Sequence, residues 1–568
     1  MRFAPIAGFV TAVLVVVATP SAHAADYYVA PGGSDAAAGT SAAPWATLQY
    51  AANRVNPGDI VHVRDGGYVG FNATRGGTAA MPVRFVGEGM DVRITTRNAV
   101  TPDGINVEGA DYVTIDNFIV NGMPRTGVRC AVSRFVTIRR IRADMNARWG
   151  ILTGCCPDII IEDNVTSRSV AEHGIYFSNS ADRPTIRRNT SFLNRANGIH
   201  MNGDLSINCG AVTTTDGIIR NAVVERNVIY SNGSGGGSGI NCDGVSDSII
   251  RNNLIYDALA SGISLYQIDA GGPSQNNLVV NNTIIQSATG RWAINIVGGS
   301  TGNTLRNNIL FTNHAFRGAI VIDAASRMGF TSNYNLLTPR LSADGDTTTL
   351  ALAAWQALGY DLNSMASTAA ANFVNVATND YHLRAGVPAV DRGEATRAPP
   401  DDIEGLPRPV GAAFDIGAYE YRTGVPMDGG APTDSGPPDS GASDTGSAID
   451  TGSATDTGSA RDTGTAMDMG PAMDTGSPSD SASPVDSGGS SDAVAMLDSP
   501  TPTDSAVTTD AGPSDGSRGD VGAEGTTMTP GCRCGVVGAN RHASAALWTA
   551  VAVGALAVAR RRRRQSRN

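Results

Sequence analysis

The sequence predicts an all-β fold, a right-handed parallel β-helix, and three observations carry that prediction. The first is a Gly-or-Ala, apolar pattern at Gly104-Ile105, Gly127-Val128, Gly150-Ile151, Gly174-Ile175, Gly198-Ile199, Gly239-Ile240, Gly262-Ile263, Ala293-Ile294 and Ala319-Ile320. Its steps are 23, 23, 24, 24, 41, 23, 31 and 26 residues, so two of them carry insertions. The second is a set of apolar runs between these, mostly closing on Asn, such as Ile159-Ile160-Ile161-Glu162-Asp163-Asn164 and Ile249-Ile250-Arg251-Asn252-Asn253. The third is exclusion: the segment has neither the 3.6-residue periodicity of helical solenoids nor the regular Leu of leucine-rich repeats. Self-similarity at this period, with short β-branched runs and Gly/Asn punctuation, marks a solenoid with one coil per repeat.

The period dictates the packing. Strand alternation sends Ile199 and Met201 inward and His200 and Asn202 outward. Coils stack ~4.8 Å apart, so equivalent positions form columns. Asn117, Asn164, Asn189, Asn227, Asn253, Asn282 and Asn308 recur at one turn, where stacked amides can bond one another as a ladder.

Residues 1–24 read as a signal peptide: Arg2, an apolar run over Phe9 to Ala18, then the small-residue site Ala22-His23-Ala24. Residues 25–100 form an N-terminal cap and the first strands, with a short helix expected over Pro44 to Ala52 and Pro near its first turn. Coils follow over 101–335, and 336–422 close the solenoid. Residues 423–530 collapse into Gly, Ser, Asp, Thr and Pro, with Asp every six residues from Asp444 to Asp474; this composition predicts a disordered acidic linker. Residues 531–568 hold Gly531-Cys532-Arg533-Cys534-Gly535, an apolar run from Ala543 to Ala559 and the cluster Arg560 to Arg564. That order predicts a transmembrane segment with its basic flank cytoplasmic.

Net charge is −11, and all 42 basic residues are Arg, since the chain has no Lys. No basic stripe is interleaved with aromatics, which argues against nucleic acid as a partner. Export permits disulfides. The five cysteines of the folded region are Cys130, Cys155, Cys156, Cys209 and Cys242, so at least one stays unpaired there. Two readings stand: a Cys209–Cys242 bridge, or Cys130 and Cys242 as small core residues.

The run Tyr27 to Tyr68, with Gly39-Thr40-Ser41, Pro44-Trp45, Pro57-Gly58-Asp59 and Gly66-Gly67-Tyr68, resembles the opening segment of pectate-lyase-like β-helix proteins. Asp380-Tyr381-His382-Leu383, Pro388-Ala389-Val390-Asp391 and Asp415-Ile416-Gly417-Ala418-Tyr419-Glu420-Tyr421 are similar to the closing segment of secreted members of that group. The C-terminal order of Cys, span and Arg cluster resembles the sorting signal of myxobacterial surface proteins. That resemblance implies a chain fixed at the outer cell surface through Cys532 or Cys534. The β-helix group includes lyases, hydrolases, epimerases and non-enzymes, so fold alone does not assign an activity.

Chemistry is expected where polar and aromatic groups gather. One outward column reads Asn106, Arg129, Leu152, Tyr176, His200, Asn241, Ser264, Asn295; its neighbour reads Glu108, Ala131, Gly154, Ser178, Asn202, Asp243, Tyr266, Val297. The two insertions, Gly203 to Gly217 and Tyr266 to Gln275, leave this strand at one corner and predict the walls of a groove. Its floor would bind polysaccharide through Tyr176, Asn202, Asn241 and Asp243. Eliminative cleavage of a uronic-acid polymer needs a base for the C5 proton, an acid for the leaving oxygen and a neutraliser for the carboxylate. Lyases of the resembled group commonly use Lys or Arg with carboxylate-held Ca²⁺. Here those roles fall to His200 or Arg291 as base, Tyr266 as acid, and Asp204, Asp243 and Asp269 for Ca²⁺. Hydrolysis ranks lower, because the strand floor offers only one carboxylate. His173 reads as structural, at a corner, and Asp243 has a second reading as a loop anchor through backbone N–H groups. Two functions stay open: a polysaccharide lyase, or a non-catalytic carbohydrate-binding or adhesive surface protein.

Overall fold

The computed structural model describes residues 24–206 and 208–423. The signal peptide, the acidic linker, and the Cys532, Cys534 and apolar segments expected near the C-terminus lie outside the described residues. No helix among the described residues is long and apolar enough to cross a membrane.

Three parallel sheets of 12, 11 and 12 strands wind into a right-handed solenoid. Each coil adds one strand to each sheet in turn; one coil supplies Ile105–Glu108, Val113–Asp116 and Ile119–Asn121. The sheet holding Ile105–Glu108, called here the second sheet, carries the expected outward column. Its register runs Asn106, Arg129, Leu152, Tyr176, His200, Asn241, Ser264, Asn295, one residue per coil. The inward positions Ile105, Val128, Ile151, Ile175, Ile199, Ile240, Ile263, Ile294 and Ile320 are fully buried. Each contributes on the order of 2 kcal/mol on burial, but a lone coil has nothing to bury them against.

Glycine precedes the inward aliphatic because neighbouring coils touch there. A Cβ on Gly127 would lie 2.7 Å from the Gly150 carbonyl oxygen and 2.9 Å from the Asn146 amide nitrogen.

The asparagine ladder runs through Asn164, Asn189, Asn227, Asn253, Asn282, Asn308 and Asn335, each Nδ2 donating to the next Oδ1 at 2.9–3.1 Å. Each of the first six also donates to a core-strand carbonyl, as Asn253 does to Val224 at 2.9 Å. Asn117 is a correction to the expected membership. It sits one position earlier, in the left-handed turn column of Arg140, Asp163 and Arg188 (φ 52–63°), and its amide donates to the carbonyls of Gly87 and Gly89. Buried Phe118 and Ile141 take the ladder position in the lower coils.

The helix of the cap is shorter than expected, Leu48–Ala52 with Thr47 as N-cap. The Asp35 carboxylate accepts from the amides of Ala46 and Thr47, which holds the preceding residues extended, and Trp45 bridges to Val29 at the first strand. At the far end, the helix Leu352–Gln356 sets Trp355, fully buried, over the core. The closing segment then folds back along the outside of the coils. Phe373, Tyr381, Leu383, Ile403, Ile416 and Ala418 cover outward Leu254, Tyr256, Ile285 and Phe311 in a second apolar cluster.

The disulfide is Cys155–Cys209. The Cys209–Cys242 alternative fails because Cys242 faces the core while Cys209 lies in the insertion outside the sheet, against the Asn179 carbonyl.

Candidate functional site

Register alone brings Tyr176, His200, Asn202, Asn241, Asp243 and Tyr266 onto one face of the second sheet. The two insertions leave at the same corner and contact each other: Asp204 bridges to Ala270, and the Gly271 amide donates to the Gly217 carbonyl at 2.9 Å. They lie down over the corner rather than standing as open walls. Gly217 donates to the Ser180 hydroxyl and Thr213 to the Ser180 carbonyl, and the disulfide pins the first insertion to Cys155. The face is therefore largely covered. Tyr176, His200, Asn202 and Asp243 are buried, while Asn241 and Tyr266 are half-buried.

A ring stack floors the face. Trp149 lies 5.8 Å from Tyr176 at 21°, Tyr176 lies 5.1 Å from His200 at 28°, and the Arg148 guanidinium sits 4.5 Å over Trp149. Trp149 was not legible as a site residue, because it precedes Gly150 and falls outside the alternating columns.

His200 is a correction. The backbone N–H of Asn197 donates to His173 Nδ1 at 3.2 Å, so His173, neutral because burial holds its pKa well below the usual range, carries its proton on Nε2. That nitrogen lies 3.0 Å from His200 Nδ1, which must then accept. Burial pushes the His200 pKa down to about 3, so the ring is neutral, and with Nδ1 accepting its proton sits on Nε2, a buried donor with no partner among the described residues. One ring nitrogen is engaged and the other already protonated, so His200 is a hydrogen-bond donor and not a base. His173, expected only as structure, sets this tautomer.

Asp243 is a loop anchor. Its oxygens accept from the amides of Ile268 and Asp269, both at 2.8 Å. Burial raises its pKa against those amides, and the nearby Asp269 charge adds to the rise. Asp204 is engaged by the Ser206 amide and hydroxyl at 2.7 and 2.6 Å. Among the described residues, no group of three His, Cys, Asp or Glu side chains is arranged to hold a metal. Asp204, Asp243 and Asp269 are thus not drawn together as a three-carboxylate set, and the Asp204 and Asp243 oxygens accept from neighbouring protein donors.

Tyr266 remains placed for chemistry. The Asn241 amide donates to its hydroxyl at 2.6 Å, and burial, with Asp243 next, raises the phenol pKa well above its usual value, so it stays protonated. Arg291 is exposed at the corner where the chain enters the second sheet; Tyr266 is at the corner where it leaves. The strand Ile294–Ile296 separates the two corners by ~10 Å. Asn202 donates to the Tyr176 hydroxyl at 3.2 Å, and its own Oδ1 is a buried acceptor without a partner.

Residues 63–213 and 206–335 match the family model described as a right handed beta helix region. Pectate lyase PEL9 of Emericella nidulans is 41% identical over 66 residues, 11% of this chain and 16% of that protein, so well under two thirds of its length is matched. Among solved structures, pectate lyase Pel9A gives a TM-score of 0.50 at 15% identity, over 70% of this chain and 96% of that one. The complex of XylC with xylose gives 0.44 at 10% identity, over 69% and 98%. Likeness at such identity establishes architecture alone, a pectate-lyase-like right-handed β-helix.

Proposed function

We propose that this protein binds a uronic-acid-containing polysaccharide along the outer face of the second sheet, as an exported protein held at the outer cell surface, and that it does so without cleaving the polymer. One observation carries the reading. Asn241 and Tyr266, half-buried on the two coils after His200 and joined amide to hydroxyl at 2.6 Å, keep an amide oxygen that can accept and a phenol hydrogen that can donate. A hydroxyl both donates and accepts, so a sugar suits such a pair, and ring faces like Tyr176 are the usual floor for one. The short stretch shared with a pectate lyase supports a uronate polymer as the ligand.

Cleavage is the weaker reading because, among the described residues, neither candidate base is free on this face: His200 donates from Nε2, and Arg291 lies across the strand. Tyr266 as a proton donor is what favours it.

The test is retardation of the mature chain in gels containing polygalacturonate or alginate, beside ultraviolet absorbance of unsaturated uronides with and without Ca²⁺. Retardation without absorbance is expected; absorbance gained over time would establish the lyase instead. Tyr266→Phe, which removes the hydroxyl that Asn241 holds, should weaken binding about 10-fold. N-terminal sequencing of chain recovered from the cell surface should begin at Ala25.

A further inference from the structure

Cys130 and Cys156 lie in successive coils, 26 residues apart, and their sulfurs are 2.8 Å apart in the buried core. A disulfide bond is ~2.05 Å long, so closing this gap needs less than about 1 Å of movement. Cys156 is adjacent to Cys155, which already bridges to Cys209 in the first insertion. Neither Cys130 nor Cys156 has a place in the candidate site.

We infer that Cys130 and Cys156 form a second disulfide of the mature protein, so that two bridges through vicinal cysteines staple one coil, the next coil and the loop over the site. The step is an oxidation by a disulfide compound, glutathione disulfide in the test below. Each cysteine loses its thiol hydrogen and an S–S bond forms between them. Two electrons and two protons pass to the oxidant, whose own S–S bond breaks to give two thiols. Burial holds the Cys130 thiol well above its ordinary pKa, so little thiolate exists once the core has closed. The bridge therefore closes while the coils are still assembling.

The experiment is a peptide map of the full chain, refolded with oxidised glutathione, blocked with iodoacetamide in denaturant before any reduction, and cut after Arg. Cys130 falls in residues 130–134, Cys155 and Cys156 in 149–168, and Cys209 in 196–220. The expected product is a single three-peptide species, lighter by four hydrogens than its reduced parts, that separates on reduction. Cys156→Ser should release only 130–134, and Cys155→Ser only 196–220. Alkylated Cys130 in the wild type, or Cys130 joined to Cys209 or Cys242, overturns the inference. The first outcome would mean a thiol pair that stays reduced even with oxidant present.

Discussion

Two columns of stacked side chains run along this solenoid, and they obey different rules. In the ladder from Asn164 to Asn335 one residue type repeats, and up to Asn308 each amide donates upward and to a core carbonyl while its oxygen accepts from the coil below. On the second sheet the column changes identity at every step, Leu152, Tyr176, His200, Asn241, Ser264. His200 Nε2 in this column, and Asn202 Oδ1 and Trp149 Nε1 beside it, are left without partners among the described residues. A homogeneous column satisfies itself by translation; a heterogeneous one cannot, because each side chain meets a neighbour of another shape. Unpartnered buried groups also occur away from this face, at Ser169 Oγ and Ser300 Oγ among others, so what sets the face apart is a donor and an acceptor side by side on one strand.

The contrast can be broken most forcefully in the ladder. Asn253→Leu would strand the Asn227 backbone N–H and one hydrogen of its side-chain amide, and would remove the side-chain donor to the Val224 carbonyl and to Asn282 Oδ1, which keeps only the backbone N–H of residue 253. At ~1–3 kcal/mol for each buried polar group stranded, the loss should be about 4 kcal/mol or more in denaturant unfolding. A loss below about 1 kcal/mol would mean the ladder is not the polar spine.

Acid should act on the other column. His200 has a folded pKa of about 3 against ~6.5 unfolded, so below ~6.5 the unfolded chain takes up a proton that the folded one refuses. Stability from this group is full above ~6.5 and falls as pH drops toward 3. Its share of the loss at pH 5 is ~2 kcal/mol, and His173, shifted the same way, adds to it. Unfolding of His200→Asn measured between pH 7 and 5 should therefore show a shallower slope than wild type; an equal slope would place the titration elsewhere.

Smallest is the effect of removing a group that has no partner to lose. The Thr153 hydroxyl is buried in the core without a hydrogen bond. Thr153→Val should be neutral or stabilising by up to about 1 kcal/mol in the same unfolding measurement.

Much of this was legible beforehand because the coil is a translation. A period of some two dozen residues sets which side chains stack, so the columns through Tyr176, His200 and Asn241 followed from spacing alone. What spacing could not show is what lies above or beside a column. Asp243 sits where expected, yet the path of the second insertion commits its carboxylate to two amides. His200 faces outward as expected, but its role depends on His173, 27 residues away at a corner, and on one backbone N–H. Asn117 misled because Asn is favoured both in the ladder and in the left-handed turn one residue before it. The Cys155–Cys209 pairing depended on the route of the insertion, which repeats nowhere else in the chain.

The strap formed by the closing segment has a mechanical consequence. Its last residues are tied sideways to the last third of the solenoid: Arg408 reaches Asn252, Asn281 donates to the carbonyls of Asp415 and Gly417, and Gly417 donates to Asn307. A pull on the chain beyond Tyr421 thus arrives on the flank, across several coils at once, and strips the strap before it can unwind the spiral beneath.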